Sequence, residues 1–213
     1  MQTKARKPRA ENAAKRSLQM IEATLRSVAR YGLARTTLAS VSAEAGLSQG
    51  VAVFYFESKD KLLAAAFRHH YEIYRKTWRA AFEGAGADPA AQVAAIVRAD
   101  FDPAVFNRQS LAVWHAYWGD STARPLYADI SQEYDRERGE ALALACAALS
   151  GGDRAAGAEM AAAIDALSDG LWLRAHLTPV WSGPGDSLAL AGNLVARYGF
   201  GAARRAGELI SAS

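Results

Sequence analysis

The sequence of 213 residues is long enough for one large or two modest domains with a buried core. Hydrophobic residues make up 51% of the chain, and many of them are alanine, which favours closely packed helices over sheets. No window reaches the ~20 uninterrupted apolar residues of a membrane span, and a net charge of only +3 does not by itself indicate a nucleic-acid partner.

Positive charge is concentrated in the first part of the chain. Ten Lys or Arg and five Asp or Glu occur up to Asp60, against fifteen and seventeen in the remainder. Because phosphate neutralisation and counterion release drive binding to DNA, this imbalance indicates a nucleic-acid partner for the front third. A basic surface that is only solvated is the alternative.

The first predicted elements are a mobile arm and one long helix. Residues 1–9 are basic, contain proline and lack periodicity, which predicts the arm. Its basic side chains are candidates for phosphate or minor-groove contacts, with plain disorder as the alternative: Lys4, Arg6, Lys7 and Arg9. From about Ala10 to Tyr31 an apolar stripe predicts a helix that Gly32 ends. The stripe consists of Leu18, Ile21, Leu25 and Val28.

The stretch from Thr36 to Leu63 predicts two short helices joined by a tight turn and followed by the start of a longer helix. Three polar residues are placed to cap the successive helices: Thr37, Ser48 and Ser58. The inner face of the first short helix carries Leu38, Val41 and Ala45. Gly46 predicts its left-handed end, after which Leu47 can turn inward. The second short helix has about two turns, a size that fits the DNA major groove.

This stretch resembles the signature of TetR-type repressors. The shared motif is Ala45-Gly46-Leu47-Ser48-x-Gly50, then Tyr55-Phe56, then Ser58-Lys59-x-x-Leu62-Leu63. Many helix-turn-helix proteins share the alanine-glycine turn, but the aromatic pair and the Lys-x-x-Leu-Leu at these spacings are more specific. The resemblance covers roughly the first third of the chain.

The resemblance implies which residues contact DNA. It places phosphate contacts at Thr36 or Thr37 and at Lys59, and base contacts at Ser48 and Gln49. The full candidate set is Thr36, Thr37, Ser48, Gln49, Gly50, Val53, Phe54, Tyr55 and Lys59. Many family members carry Tyr-His where this chain has Val53 and Phe54, so two polar contacts are replaced by apolar groups. These two side chains either meet thymine methyl groups or pack in the core.

Helices are predicted for the rest of the chain. A long linking helix over residues 58–84 carries an apolar face of Leu63, Ala66, Phe67, Tyr71, Tyr74 and Trp78. Further helices are predicted over residues 89–101, 107–119, 126–150, 154–177 and 186–205. The charged first half of the helix after Leu126 indicates a solvated face with internal ion pairs.

Two later segments resemble the C-terminal domain of the Bet-type repressors, which control the conversion of choline to glycine betaine. They are Leu111-Ala112-Val113-Trp114-His115-Ala116-Tyr117-Trp118 and Ala166-Leu167-Ser168-Asp169-Gly170-Leu171-Trp172-Leu173-Arg174-Ala175. The resemblance implies a small-molecule effector and a homodimer joined through the last two helices. Small residues near the end would allow close helix contact: Gly192, Ala196 and Gly199. A twofold dimer would present two reading helices roughly 34 Å apart.

A site for a quaternary ammonium ligand is expected among aromatic side chains, because aromatic faces attract such cations. The candidate ligand-binding residues are Tyr74, Trp114, Tyr117, Trp118, Tyr127, Asp169 and Trp172, with Asp165 as a second carboxylate. Each aromatic residue taken singly is also typical of a helical core.

No catalytic or metal-binding pattern emerges. The sequence contains no glycine-rich phosphate loop, nucleophile elbow or zinc-protease motif, and its four histidines lack metal-ligand spacing. We therefore expect no enzyme, no cofactor and no metal. The single cysteine, Cys146, lies in an alanine-leucine pattern that indicates a structural role.

These observations predict an all-α protein with an arm over residues 1–9, a helix-turn-helix domain over 10–57, a linking helix over 58–84 and a ligand-binding and dimerisation domain over 85–213. The N-terminus lacks the apolar core of a signal peptide, so a cytoplasmic location without membrane association is expected. The leading hypothesis is a homodimeric repressor that binds a palindromic operator and is released by a small effector such as choline. The alternative is a small-molecule binding or sequestering protein with a vestigial DNA-binding domain.

Overall fold

The structure is a computed structural model that describes residues 6–120, 124–178, 183–198 and 204–211. Its regular elements in these ranges are all α-helices, which confirms the predicted all-α class. In chain order they are α1 Arg6–Arg35, α2 Leu38–Ala45, α3 Gln49–Phe56, α4 Lys59–Gly84, α5 Pro89–Asp100, α6 Arg108–Gly119, α7 Arg124–Leu149, α8 Arg154–Leu177, α9 Gly185–Tyr198 and α10 Arg204–Ser211. None of these helices is both long and apolar enough to cross a membrane.

The helices form two compact units, each assembled from two separate stretches of chain. The first unit comprises Met1–His70 and Ala112–Ala128, and the second comprises Tyr71–Leu111 and Asp129–Ser213. Three helices, α4, α6 and α7, therefore contribute residues to both units. The functional limits expected at residues 57 and 84 stay a prediction.

In the first unit, α1 to α3 pack around a small apolar core. The fully buried members include Met20, Ala23, Val41, Ala52 and Leu62, with Leu38 and Leu47 partly buried against them. This confirms the inner face predicted for α2 and the inward turn of Leu47. Two polar contacts hold α1 against α2: Gln19 Nε2 donates to the Ala45 carbonyl at 2.6 Å, and Arg26 pairs with Glu44 at 3.1 Å.

Helix α1 agrees with its prediction at Gly32 and differs from it at its start and on one face. It begins at Arg6 rather than near Ala10, and Gly32, with a φ of 76°, interrupts it as predicted before a further helical stretch to Arg35. Leu18, predicted to lie on the buried stripe, is 41% exposed. The Lys4 contact expected for the arm lies outside the described residues, and the side chains of Arg6, Lys7 and Arg9 are not described either.

The second unit contains the larger share of the helices. Helix α5 begins at Pro89, the predicted start, after an Asp88 cap, and it buries Val93, Ile96 and Val97. Helix α7 ends at Leu149 and is followed by Gly151 and Gly152, which both have positive φ. Of the last predicted helix, over residues 186–205, the structure describes α9 up to Tyr198 and the start of α10 at Arg204, while residues 199–203 lie outside the described residues.

Helix α10 packs on α5 and α9, and Arg98 of α5 donates to the Leu209 carbonyl at 2.9 Å. Cys146 is fully buried, and this burial raises the pKa of its thiol to about 12, so the thiol stays protonated and fills the core.

Candidate functional site

Helix α2 and the turn that follows it have the geometry that Thr37 and Gly46 predict. The Thr37 hydroxyl accepts the Ser40 amide at 3.0 Å, and the Ser40 hydroxyl in turn accepts the Thr37 amide at 3.0 Å. Gly46 has a φ of 65°, and its turn is closed by a 2.9 Å hydrogen bond from the Leu47 amide to the Ser42 carbonyl. Because the left-handed Gly46 and the hydrogen bond from Leu47 to Ser42 leave the turn little backbone freedom, they fix the direction in which α3 leaves α2.

Helix α3 buries one face and exposes the other. Ala52 and Phe56 enter the core of the first unit. The exposed face carries Gln49, Gly50, Val53 and Phe54, with Val53 46% and Phe54 79% exposed. Of the two readings left open by the sequence, packing of Val53 and Phe54 in the core is therefore wrong. Both apolar side chains face outward from this chain.

Gly50 has no internal reason to be glycine. A Cβ atom built on it would meet only the Ser48 hydroxyl, at 3.8 Å, which is an ordinary contact distance. Its φ is not in the left-handed region. Neither packing nor backbone conformation within the chain requires glycine here, whereas close approach of an external molecule to this turn of α3 would.

The two candidate threonines have different surroundings. Thr36 is 1% exposed, and its hydroxyl donates to the Gly32 carbonyl at 2.9 Å and lies 3.1 Å from the Ser27 hydroxyl. Thr37 is exposed at the start of α2. Of the pair, Thr37 is the one whose surface is available to a phosphate.

The remaining candidates of the first unit lie around α3. Ser48 occupies the N-cap position and is exposed, but its hydroxyl makes no capping hydrogen bond, contrary to the prediction. Ser58 does cap α4, accepting the Lys61 amide at 3.2 Å. Lys59 Nζ donates to the Ala34 carbonyl at 3.0 Å, and Tyr55 is half-buried beside the Phe54 ring.

A buried charged network joins four helices of the second unit. Asp100 is 1% exposed and accepts hydrogen bonds from Arg138 at 2.7 and 3.0 Å. The hydroxyls of Tyr74 and Ser168 donate to the same carboxylate at 2.7 and 2.9 Å. Arg138 also contacts Asp165 and lies over the Tyr74 ring, 5.8 Å from its centroid. The Tyr74 face therefore already holds a cation, which belongs to the chain itself.

Two further carboxylates, Asp135 and Asp169, lie near this network, and the positive charge of Arg138 lowers the pKa of both. Protein atoms desolvate the Asp135 carboxyl group, although part of its side chain stays accessible, and this raises the pKa to about 6. Tyr71 donates to it at 3.2 Å and lowers the pKa, while Asp169 and Asp165 raise it. Desolvation and the charge of Asp165 likewise raise the pKa of Asp169. A cation placed here would relieve this repulsion.

An open cavity of about 620 Å³ lies beside Asp135. Its described lining consists of Asp129, Ser131, Gln132, Glu133, Asp135 and Arg136 of α7. Three acids and one base on this wall make it net negative, which suits a cationic occupant of small-molecule size.

The seven ligand candidates fall into two groups, one in each unit. Tyr74, Asp169 and Trp172 belong to the second unit, where Trp172 donates to the Asp100 carbonyl at 3.0 Å and lies edge-on to Tyr74 at 5.7 Å. The four others, Trp114, Tyr117, Trp118 and Tyr127, belong to the first unit. There Tyr117 stacks on Phe67 at 4.1 Å, and Trp114, Tyr117 and Tyr127 are each less than 5% exposed.

Sequence reasoning missed the centre of the second-unit network. The charged half of α7 is not simply a solvated face: Arg138 is 7% exposed and pairs with α5 and α8, which corrects that interpretation. Asp100 is the member of this network that the sequence could have identified. It is an acid at the C-terminal end of a helix that is otherwise apolar, where the helix dipole disfavours negative charge unless a cation is near.

Comparison with known families and structures agrees with these features. Residues 20–66 match the model for bacterial regulatory proteins of the tetR family, and residues 89–199 match the model for the C-terminal domain of BetI-type transcriptional repressors. The HTH-type transcriptional regulator BetI of Paraburkholderia xenovorans (strain LB400) is 37% identical over 167 residues, which are 76% of this chain and 83% of that protein.

Solved structures show the same fold. A protein assigned as a transcriptional regulator from Pseudomonas aeruginosa PAO1 matches with a TM-score of 0.76 and 26% identity, covering 90% of this chain and 94% of the other. Another from Saccharomonospora viridis, solved in complex with choline, matches with a TM-score of 0.73 and 18% identity, covering 86% and 97%.

Proposed function

Because this chain belongs to the TetR family of bacterial regulatory proteins, with the C-terminal domain of the BetI-type transcriptional repressors, we propose that it represses transcription by binding an operator as a homodimer. A cationic small molecule bound in the second unit would release it. The observation that supports operator binding most directly is the exposed face of α3, which a capped turn presents in a net basic part of the chain.

The candidate DNA-binding residues divide by chemistry. Thr37 and Lys59 supply a hydroxyl and an ammonium group for phosphates, while Gln49 presents an amide that suits the adenine edge. Ser48 adds an exposed hydroxyl at the start of α3. Phosphate contacts would fix the register, and the side chains of α3 would then read the bases.

Dimerisation through α8 and α9 is supported by the apolar side chains that these helices leave uncovered. Leu173, Leu177 and Leu190 are 46%, 69% and 37% exposed in the single chain. A second copy would bury them across a twofold axis and place two α3 helices roughly one DNA turn apart. Of the small residues expected to allow close helix contact, Gly199 lies outside the described residues.

A quaternary ammonium compound such as choline is the effector class that the second unit suits best. Arg138 already balances Asp100 and Asp165, so Asp135 and Asp169 are the carboxylates left to attract a ligand cation. Tyr74 and Trp172 stand beside the same network. The choline bound by the Saccharomonospora viridis protein is consistent with this class.

Release requires that the effector bind more tightly to a conformation that fits DNA poorly. The helices shared between the units, α4 above all, would transmit this preference. Such a regulator acts by binding alone, without catalysis, and works in the cytoplasm where its operator is.

The test is a fluorescence-anisotropy titration with a labelled duplex from the region upstream of the gene, at about 150 mM salt. We expect tighter binding than to a scrambled duplex, and weaker binding when choline is added. Lys59→Ala should weaken binding, while Lys76→Ala, which removes the same charge from an exposed position in the second unit, should not.

Two outcomes would contradict parts of the proposal. Equal affinity for the operator and the scrambled duplex would overturn operator recognition, and choline binding in that case would support the sequestering alternative. Calorimetric heats with choline that do not differ from buffer would overturn the effector assignment. Asp169→Asn should weaken choline binding about tenfold, whereas Glu140→Gln, on the exposed side of α7, should leave it unchanged.

A further inference from the structure

We propose that Val53 and Phe54 form an apolar reading pair that contacts the 5-methyl group of a thymine in each operator half-site. This inference rests on the proposed DNA-binding function and deepens it. Recognition at that base pair would depend on a methyl group and not on a hydrogen bond.

The first observation is that the fold makes little use of these two side chains. Phe54 is 79% exposed, and its described ring contact is an edge-on approach to Tyr55 at 5.1 Å. Val53 is 46% exposed, although its neighbour Ala52 is fully buried. Adjacent large apolar groups held in water forgo the burial that stabilises a core, so a partner that covers them gains free energy.

The second observation is their placement on α3. Val53 follows Gln49 by four residues and Phe54 follows Gly50 by four, so each lies one helical turn behind an exposed position. A phenylalanine on a helix covers the turn that precedes it, and Gly50 leaves that turn without a side chain. The ring therefore has room to approach a surface closely, with the Gln49 amide beside it.

The chemistry of the surroundings favours duplex DNA as the occupant. The chain up to Asp60 has ten basic and five acidic residues, which suits a polyanion. Neither Val nor Phe can donate or accept a hydrogen bond at a base edge. The thymine methyl is the apolar group that the major groove displays, so it is the feature these side chains can distinguish.

The experiment changes the DNA and leaves the protein intact. In the operator identified by footprinting, each thymine of a half-site is replaced in turn by deoxyuridine, which removes only the methyl group. We expect one position where the replacement weakens wild-type binding roughly fourfold per half-site, the effect of one buried methyl group. When the T·A pair at that position is replaced by C·G, a duplex with 5-methylcytosine should bind the protein more tightly than one with unmodified cytosine. The 5-methylcytosine restores the methyl group at the same place in the major groove.

Protein variants then assign the effect. Phe54→Ala and Val53→Ala should each reduce the thymine-to-deoxyuridine ratio towards one, whereas Gln49→Ala should lower affinity and leave the ratio unchanged. Phe54→Leu, which keeps an apolar group, should retain part of the preference for thymine over deoxyuridine. Because both apolar side chains are largely exposed, thermal melts of the variants should match the wild type.

Three results would overturn the inference. Equal affinity at every thymine-to-deoxyuridine change, with specific operator binding intact, would refute methyl reading and leave the proposed function standing. A preference for thymine over deoxyuridine that persists in both Phe54→Ala and Val53→Ala would mean that other residues contact the methyl group. Absence of any operator preference in the wild type would refute the proposed function and this inference together.

Discussion

Gly50 and Gly139 are helical glycines in open surroundings, and they lie in different units of the protein. A Cβ atom would meet nothing nearer than 3.8 Å at Gly50 and nothing within 4 Å at Gly139 of α7. Replacing either by alanine should stabilise its helix by about 0.5–1 kcal/mol, because alanine loses less backbone entropy on folding.

We predict that the two substitutions separate in DNA binding. Gly50→Ala should raise the melting temperature and weaken operator affinity about tenfold, because a methyl group would stand where α3 approaches the groove. Gly139→Ala should raise the melting temperature with operator affinity unchanged. Thermal melts and anisotropy titrations check both, and unchanged affinity for Gly50→Ala would mean that DNA does not approach this turn.

Asp135 leads to a prediction about pH. Because desolvation by nearby protein atoms raises the pKa of the partly accessible Asp135 to about 6, above the ordinary value near 4 of an unfolded chain, folding favours the protonated carboxyl. The contribution of this group to the free energy of unfolding is fully present below pH 4 and is lost as the pH rises through 6. Asp135→Asn should therefore melt at a higher temperature than the wild type at pH 7.5, with the difference disappearing towards pH 4.

The same substitution should have the opposite effect on the effector. Wild-type affinity for choline should rise about tenfold between pH 5 and pH 7.5 as Asp135 ionises, and Asp135→Asn should show the weaker affinity throughout. Calorimetry at the two pH values measures this, with Glu140→Gln as the control. A pH-independent affinity in the wild type would exclude Asp135 from the site.

Single residues also show what the sequence could predict. The cap of Thr37 and the left-handed Gly46 follow from local preferences, which act within a few residues and were predicted correctly. The aromatic residues were harder, because Trp114 and Tyr117 have the composition of a ligand cage and are in fact packed around Phe67. Residue type gives the chemistry of a side chain, while only tertiary packing decides which surface it meets.

At the scale of elements, the close contact of α7 and α8 depends on one glycine. A Cβ atom on Gly157 would lie 2.5 Å from the Ala147 nitrogen and 2.6 Å from its Cα, which are rigid backbone atoms. Gly157→Ala should therefore separate the two helices and destabilise the protein by about 2–3 kcal/mol. Gly139→Ala on α7, the other helix of this pair, is the control with the opposite sign, and equal melting temperatures for the two variants would refute the prediction.

The network around Asp100 shows why elements predicted one by one do not reveal a site. Its members come from α4, α5, α7 and α8, and the bonded pair closest in sequence, Tyr74 and Asp100, is 26 residues apart. Helical periodicity placed each helix but carried no information on which charged residues face each other across helices. The charged half of α7, which carries Arg138, was therefore interpreted as a solvated face, although Arg138 contacts Asp100, Asp165 and the Tyr74 ring in three other helices.

At the scale of the whole molecule, the first unit needs both of its stretches of chain. Phe67 is surrounded by Trp114, Tyr117 and Tyr127, and the Tyr117 hydroxyl donates to the Leu63 carbonyl at 2.8 Å. A fragment of residues 1–70 would leave this apolar surface uncovered. We predict that it melts at a lower temperature than the first unit in the full chain, measured by circular dichroism, and equal stability would show that the second stretch is dispensable.

This assembly from Met1–His70 and Ala112–Ala128 also bears on how the protein is made. A growing chain emerges from the ribosome N-terminus first, and domains usually fold as soon as their residues are available. Here the core of α1 to α3 uses buried residues up to Leu62, whereas the packing around Phe67 also needs aromatic residues up to Tyr127. A chain truncated between these points during synthesis would carry the DNA-binding helices without the aromatic cluster that covers Phe67 of α4.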